Sequence, residues 1–194
     1  MLRRNFLSLS GAAALLAGCG VETKPPFKAV DITGADYARD FRLTDTEGKP
    51  RSVGDFQGKA VVVFFGYTQC PDACPTTLAE IAEAKKLLGA DGAKVQPVLI
   101  SLDPERDKPE VLKAYVQNFG PDFIALRGTP EETAAVAKDF KVFYRKVPGS
   151  TPGSYTMDHS AASYVYDPKG RLRLYVRYGA GAQALADDLK LILG

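Results

Sequence analysis

The chain has 194 residues, of which 45% are hydrophobic and 25% charged, with 18 Gly and 13 Pro. This composition excludes collagen-like, coiled-coil and largely disordered chains, so a single domain with one packed core is expected. Lys and Arg number 25 against 23 Asp and Glu, and two of the cations, Arg3 and Arg4, lie in an N-terminal leader that contains no acids. The remainder is formally neutral and lacks the basic character that nucleic-acid binding requires, so no nucleic-acid partner is expected.

The first 18 residues predict an export signal. Arg3 and Arg4 precede an apolar stretch, residues 7–17, that is shorter than the about 20 residues a membrane-spanning helix needs. The stretch ends in Leu-Ala-Gly before Cys19, which resembles the lipobox of bacterial lipoproteins, where the cysteine becomes the acylated N-terminus. We therefore expect residues 1–18 to be a lipoprotein signal peptide, Cys19 to be lipidated, and the protein to be a membrane-anchored lipoprotein on the extracytoplasmic, periplasmic side. The alternative is an ordinary secretory signal with an incidental cysteine.

Residues 19–39 are expected to form a tether, and residues 40–194 a single domain. Pro25 and Pro26 interrupt the tether, which shows little hydrophobic periodicity. Such a segment would hold the domain near a membrane.

From residue 40 onward, strand-like and helix-like segments alternate. The β-branched and aromatic run 60–66 is typical of a central strand buried on both faces, and Thr129 with Glu132 is typical of a helix capping box. The predicted strands cover residues 41–43, 51–53, 60–66, 95–102, 123–126, 162–166 and 172–177. The predicted helices cover residues 75–88, 109–119, 130–140 and 182–192, with Asp107 as a cap of the second. The Pro- and Gly-rich residues 148–153 are expected to be irregular.

This order of elements predicts an α/β fold. Parallel strands joined by helices, followed by an antiparallel hairpin and a last helix, give a mixed β-sheet with helices on both faces. The order matches the thioredoxin-like fold, in which reactive cysteines lie between the first central strand and the following helix. Cys70 and Cys74 lie at that position.

The two cysteines are candidate metal ligands and a candidate redox pair. If the loop already turns helically, Cys70 and Cys74 lie on one face and their sulfurs converge. The positive end of a helix lowers the pKa of a thiol, and the thiolate is the form that binds metals or attacks disulfides. A purely structural disulfide is the alternative in an oxidising, exported compartment. Such a bridge would close a loop of only a few residues. It would therefore lower the entropy of the unfolded chain only slightly and stabilise the fold little.

His159 is the single histidine of the chain and precedes the first strand of the C-terminal hairpin. In a thioredoxin-like sheet this strand lies beside the central strand, so the loop before it faces the cysteines. A surface or packing role is the alternative for a lone histidine. Two thiolates and one imidazole suit copper(I) and can also hold copper(II), whereas calcium and magnesium need carboxylate clusters and structural zinc usually takes a fourth protein ligand. Met157 is expected to pack rather than to bind metal.

Three segments resemble the Sco/SenC family, the copper-handling proteins of cytochrome c oxidase assembly. They are FFGYTQCPDACPTTL at residues 64–78, SLDPERD at 101–107 and DHS at 158–160. The resemblance extends from about residue 40 to the C-terminus. One minor departure is Met157, which stands where an aliphatic residue is common in the family.

The resemblance implies a thioredoxin-like domain that binds one copper ion, as Cu(I) or Cu(II), through Cys70, Cys74 and His159. It implies delivery of that copper to the binuclear copper site of cytochrome c oxidase. The expected partner is the copper-binding subunit of the oxidase or another copper acceptor. Some members of the family act instead as thiol-disulfide reductants that prepare the cysteines of the acceptor.

The sequence thus favours a copper chaperone without catalytic residues. A thiol-disulfide reductase that uses the Cys70–Cys74 pair as a redox disulfide is the alternative. Three residues rather than two separate these cysteines, which argues against ordinary disulfide exchange. A third interpretation, a structural domain with an incidental disulfide, leaves His159 unexplained. The charged side chains after the second parallel strand are expected to be solvated and to cap the next helix; they are Asp103, Glu105, Arg106 and Asp107.

Overall fold

The computed structural model describes residues 27–194. The predicted signal peptide, Cys19 and the first part of the predicted tether lie outside these residues. The strands are β1 Val30–Asp31, β2 Leu43–Asp45, β3 Pro50–Arg51, β4 Ala60–Gly66, β5 Val95–Ser101, β6 Ile124–Arg127, β7 Tyr144–Pro148, β8 Tyr155–His159, β9 Ser163–Tyr166 and β10 Leu172–Val176. The α-helices are α1 Ala73–Leu87, α2 Pro109–Gln117, α3 Pro130–Asp139 and α4 Ala182–Leu193, and 3₁₀ helices cover Val53–Phe56 and Gly89–Lys94.

Eight of these strands form one mixed sheet in the order β1-β10-β9-β4-β5-β6-β2-β3. Strand β4 pairs in parallel with β5 and antiparallel with β9, and all seven of its residues are buried. Its alternate side chains therefore enter two separate cores. Helices α1, α2 and α4 pack on one face and α3 on the other. The predicted mixed sheet with helices on both faces, and the predicted neighbourhood of β9 and β4, are confirmed.

Helix α1 begins two residues earlier than the sequence predicts. Its first residue is Ala73, so Cys74 lies in the first turn and Pro75 occupies the third helical position. Proline is tolerated there because the first N–H groups of a helix have no intrahelical partner. The capping box of α3 is confirmed, since the Glu132 N–H donates to Thr129 Oγ1 at 3.2 Å and the Thr129 N–H donates to Glu132 Oε2 at 2.8 Å.

A second, two-stranded sheet stands apart from the main one and was not predicted. Strands β7 and β8 form an antiparallel hairpin in which Tyr144 pairs with His159 and Pro148 pairs with Tyr155. The irregular segment predicted over residues 148–153 contains the end of β7 and the turn that joins it to β8. The β7 strand carries exposed charged residues and lacks a strong apolar alternation, which explains why the hydrophobic pattern does not reveal it.

The folded domain begins earlier than predicted, because residues 27–39 pack against it. Strand β1 pairs with β10, and the backbone N–H groups of Lys28 and Ala29 each donate to the buried Asp188 carboxylate at 2.8 Å. Ala38 is fully buried. The prediction of a tether up to residue 39 is therefore wrong from residue 27 onward. A two-residue edge strand is too short to show any periodicity, and its partners are about 140 residues away in the chain.

None of the helices within residues 27–194 combines the length and the apolar character that crossing a bilayer requires.

Candidate metal centre

The cysteine loop connects the carboxyl end of β4 to the first turn of α1. Cys70 is partly exposed, Cys74 is completely buried, and both are free thiols. The Cys74 backbone N–H donates to Cys70 Sγ at 3.4 Å. The helical turn thus directs both sulfurs to one side of the loop, as the spacing of four residues predicts.

Gly66, the last residue of β4, allows the buried sulfur to approach the strand. A Cβ atom at this position would lie 2.7 Å from Cys74 Sγ and 2.8 Å from the Phe64 ring. Both distances are far below a normal van der Waals contact. Any larger residue would therefore displace the sulfur from its place above the strand end.

His159 lies at the end of β8 and points towards the same sulfurs. Its Nε2 atom is 3.5 Å from Cys74 Sγ, and its Nδ1 atom is 2.9 Å from the Ser160 carbonyl oxygen. Because a carbonyl accepts only from a protonated nitrogen, Nδ1 carries a hydrogen, and in the neutral ring Nε2 then has the lone pair that can bind a metal. The rings of Phe64 and Tyr67 meet the imidazole edge to face, with centroids 6.1 and 5.9 Å away. The imidazole is therefore held in an orientation suited to a metal ligand.

The three potential ligand atoms of Cys70, Cys74 and His159 all lie within 4.8 Å of one another. Protein ligands bind first-row metals at about 2.0 to 2.3 Å, as zinc sites show, so two donors of one ion lie at most about 4.5 Å apart. Small adjustments would therefore bring all three donors onto one ion. Among residues 27–194 this is the one cluster of cysteine, histidine and acidic side chains with such spacing.

Met157 takes no part in this cluster as the structure shows it. Its side chain is buried in the core that α1 and α4 share, and its backbone N–H donates to the Tyr67 hydroxyl at 3.2 Å. This is the packing role expected from the sequence. The Met157 backbone also links β8 to the residue that follows β4.

The two thiols differ strongly in acidity. A hydrogen bond from the Cys74 thiol lowers the pKa of Cys70 to about 4, against the opposing effect of burial. The same interaction, together with nearly complete burial, raises the pKa of Cys74 well above its usual range. At neutral pH the pair therefore holds one proton, with the negative charge on the more accessible Cys70.

Two of the four charged side chains after β5 are buried, so the expectation that this segment is solvated is wrong for Asp103 and Asp107. Asp103 and Asp107 are 1% and 0% exposed. Asp107 does not cap α2, whose cap position is Lys108; its carboxylate accepts hydrogen bonds from Thr68 Oγ1 and Ser101 Oγ, each at 2.6 Å. Glu105, by contrast, forms an exposed ion pair with Lys146. Both acids lie in the loop directly after the apolar strand β5, where the sequence shows no hydrophobic periodicity. The sequence pattern therefore does not predict that they are buried.

The fold and the site together define a thioredoxin-like protein with a metal site of two sulfurs and one imidazole at the end of its central strand. The sequence profile of the SCO1/SenC family matches residues 30–194. The chain belongs to this family.

Known relatives cover most of the described region. The mitochondrial "Protein SCO2 homolog" of Mus musculus is 36% identical over 153 residues, which are 78% of this chain and 60% of that protein, so the match spans less than two thirds of the relative. The structure of Bradyrhizobium japonicum ScoI with copper bound is 42% identical and covers 79% of this chain and 97% of its own, with a TM-score of 0.71. The solution structures of apo Sco1 from Thermus thermophilus are 36% identical and cover 88% and 99%, with a TM-score of 0.76.

The low pKa of Cys70 predicts an unusual pH dependence of alkylation. In the reduced protein, Cys70 should react with iodoacetamide at a rate that hardly changes between about pH 8 and 6, whereas an ordinary thiol with a pKa of about 8.5 slows about tenfold per pH unit in this range. Peptide mass mapping after timed quenching measures the rate at each cysteine. Cys74→Ala removes the donor and should raise the pKa of Cys70, while Cys74→Ser keeps a hydroxyl donor and should largely preserve it. A tenfold fall per unit for Cys70 in the unaltered protein would contradict the assignment.

Proposed function

We propose that this protein binds one copper ion through Cys70 Sγ, Cys74 Sγ and His159 Nε2 and delivers it to the binuclear copper site of cytochrome c oxidase. The partner is then the copper-binding subunit of the oxidase or another copper acceptor. The observation that carries the proposal is the convergence of these three donors within 4.8 Å at the end of β4. The copper-bound structure of a relative with 42% identity supports it.

The donor set favours copper over the common alternatives. Two soft sulfurs and one imidazole suit copper(I) with three ligands and can also bind copper(II). Structural zinc usually has four protein ligands, and the cluster within residues 27–194 supplies three. Because Cys70 is already a thiolate at neutral pH, binding of the ion needs to displace one proton, that of Cys74.

The exposure of the ligands suits a protein that releases its ion. Cys70 and His159 are partly exposed, whereas Cys74 lies in the core. An incoming ligand of the acceptor can therefore reach the ion from the exposed side, where Cys70 and His159 lie. Cys74 keeps its bond to the ion on the buried side. Exchange of one ligand at a time avoids release of the free ion into solution.

A second function, reduction of the acceptor's cysteines, is favoured by the acidity of Cys70. Its partly exposed thiolate can attack an acceptor disulfide, which gives a mixed disulfide and one acceptor thiolate. Cys74 then loses its proton and attacks Cys70 Sγ, which releases the second acceptor sulfur and forms the Cys70–Cys74 disulfide. Two electrons pass to the acceptor, so an external dithiol reductant must restore the pair. The protein acts in this case as an accessory thiol-disulfide oxidoreductase.

We also propose that the mature protein is a lipoprotein of the extracytoplasmic, periplasmic side, anchored to the membrane by lipid on Cys19. The support is the short apolar leader that ends in Leu-Ala-Gly before this cysteine. Seven residues, 20–26, would then separate the lipidated residue from the start of the described domain at Phe27, and the eight Cα–Cα steps between the two span at most about 28 Å. This arrangement places the copper site near a membrane-bound acceptor.

Copper titration of the reduced soluble domain tests the binding proposal. We expect one copper per domain and, for copper(II), an intense visible charge-transfer band that requires a sulfur ligand. Cys70→Ser and Cys74→Ser should abolish the band, and His159→Ala should weaken binding by more than about tenfold and change the spectrum. Met157→Leu, which keeps the core volume, is the control and should leave stoichiometry and spectrum unchanged. Unchanged affinity and spectrum in His159→Ala would exclude the imidazole as a ligand.

Comparison of metal transfer with disulfide reduction separates the two functions. The same sulfurs cannot bind copper as thiolates while joined to each other, so the oxidised protein should take up no copper at the site. His159→Ala should lose copper transfer to an acceptor domain and retain reduction of a small peptide disulfide, while either cysteine variant should lose both. Normal transfer by His159→Ala together with lost reductase activity would instead favour the reductase. Equal copper uptake by the oxidised form would contradict the redox gating.

The mass of the protein extracted from membranes tests the lipid anchor. It should exceed the mass of residues 19–194 by that of the attached acyl chains, because the lipidated Cys19 is then the first residue of the mature protein. Cys19→Ser should move the protein to the soluble fraction or leave its leader uncleaved. A free N-terminus at another residue, with the protein in the soluble fraction, would refute the anchor.

A further inference from the structure

Arg106, in the loop between β5 and α2, touches the elements on both sides of the metal centre. Its Nη1 atom donates to Gln69 Oε1 at 3.0 Å and to the Tyr155 carbonyl oxygen at 2.9 Å. Its guanidinium carbon stacks 3.6 Å from the centroid of the Tyr155 ring, and its Nε atom forms an ion pair with Asp103. One side chain thus connects the residue before Cys70 with the strand that carries His159.

Buried acids hold this arginine and the cysteine loop in place. The Asp103 carboxylate, 1% exposed, binds Arg106 with one oxygen and accepts the Tyr155 hydroxyl at 2.9 Å with the other. Asp107 accepts the hydroxyl of Thr68, two residues before Cys70. A planar guanidinium between a buried carboxylate and an aromatic ring has little freedom to move. Arg106 therefore holds the cysteine loop and β8 in a fixed relative position.

The β7–β8 hairpin is positioned by side-chain contacts of this kind and by the buried Met157 of β8, whose N–H donates to the Tyr67 hydroxyl. It shares no backbone pairing with the main sheet, and an isolated two-stranded hairpin is marginally stable in water. Tyr155 and His159 lie on the same face of β8, since side chains two and four residues apart in a strand point the same way. The ion pair between the hairpin and the β5–α2 loop, Lys146 with Glu105, is exposed and contributes little.

We propose that Arg106 is a positioning residue of the copper site: it fixes the imidazole of His159 relative to the sulfurs of Cys70 and Cys74. This inference rests on the proposed copper binding by these three residues. Without the guanidinium, the hairpin loses its link to Gln69 and the cation that stacks on the Tyr155 ring, and it keeps the direct bond from the Tyr155 hydroxyl to Asp103. With fewer contacts to hold β8, the imidazole is no longer fixed at bonding distance. The cysteines, which belong to β4 and α1, keep their own geometry. Loss of Arg106 should therefore resemble loss of His159.

A double-mutant cycle on copper affinity tests this dependence. Arg106→Ala should lower the affinity for copper(I), measured by competition with a chromogenic chelator, by about tenfold and shift the copper(II) spectrum towards that of His159→Ala. The double variant Arg106→Ala with His159→Ala should bind within about twofold of His159→Ala alone, because both changes remove the same ligand. Arg106→Lys, which keeps the charge but cannot reach all three partners, should fall between the wild type and Arg106→Ala.

Arg173 on β10 offers a matched control. Its side chain is 20% exposed against 21% for Arg106, and it also contacts a buried aspartate, Asp167, together with Thr33. Arg173→Ala should lower the midpoint of urea unfolding without any change in copper affinity or spectrum. Lys146→Ala should likewise leave the copper site unchanged. An Arg106→Ala protein with wild-type affinity and spectrum, or losses that multiply in the double variant, would overturn the proposal.

A measurement without copper separates this inference from the proposed function. Since the chain has a single histidine, the imidazole ring signals in its NMR spectrum belong to His159. In the reduced, copper-free protein, Arg106→Lys and Arg106→Ala should shift and broaden these signals, and Arg173→Ala should not. Unmoved ring signals in a folded Arg106 variant would contradict the positioning role. Failure of the wild type to bind copper, with the ring signals still dependent on Arg106, would refute the copper proposal and leave the positioning role intact.

Discussion

The metal centre depends above all on the antiparallel pairing of β9 with β4. This pairing places Ser163 opposite Phe64, so the chain that precedes Ser163 must pass the carboxyl end of β4, where the cysteine loop begins. His159, four residues earlier, is thereby brought to 3.5 Å from Cys74 Sγ. Because a slip of one residue would turn every β9 side chain to the opposite core, the register that buries this strand also determines where the histidine lies.

The polar groups around the site are arranged for geometry more than for stability. Burial raises the pKa of Asp107, although hydrogen bonds from Ser101 and Thr68 oppose this effect. Burying a carboxylate is expensive unless it is paired and hydrogen-bonded, and such groups are weak evidence of stabilisation. Their directional bonds nevertheless constrain the cysteine loop and the hairpin, which apolar packing alone would hold less specifically. A site that must bind a metal in one geometry benefits from this constraint.

The unequal environments of the two cysteines make metal binding and disulfide chemistry compatible with one site. Cys70 is accessible and acidic, while Cys74 is buried and retains its proton. In the two proposed functions, Cys70 is the sulfur that first contacts an ion or a disulfide of the acceptor, and Cys74 forms the second bond. Copper binding and the disulfide exclude each other, and for this two-electron couple about 30 mV corresponds to about 1.4 kcal/mol. A modest change in the redox balance can therefore select between the two states.

The sequence by itself determined the elements whose signals are local. The apolar run of β4, the capping box at Thr129 and the placement of Cys70 and Cys74 between strand and helix all follow from neighbouring residues. The predicted strand order placed His159 on the side of the cysteines, and the resemblance to the family implied the same three ligands. The tertiary structure alone decided the β7–β8 hairpin, the attachment of residues 27–39 to β10 and α4, and the burial of Asp103 and Asp107. These features join segments far apart in the chain, and a short strand or a polar loop acquires its partners only when the whole sheet has formed, so no local periodicity records them.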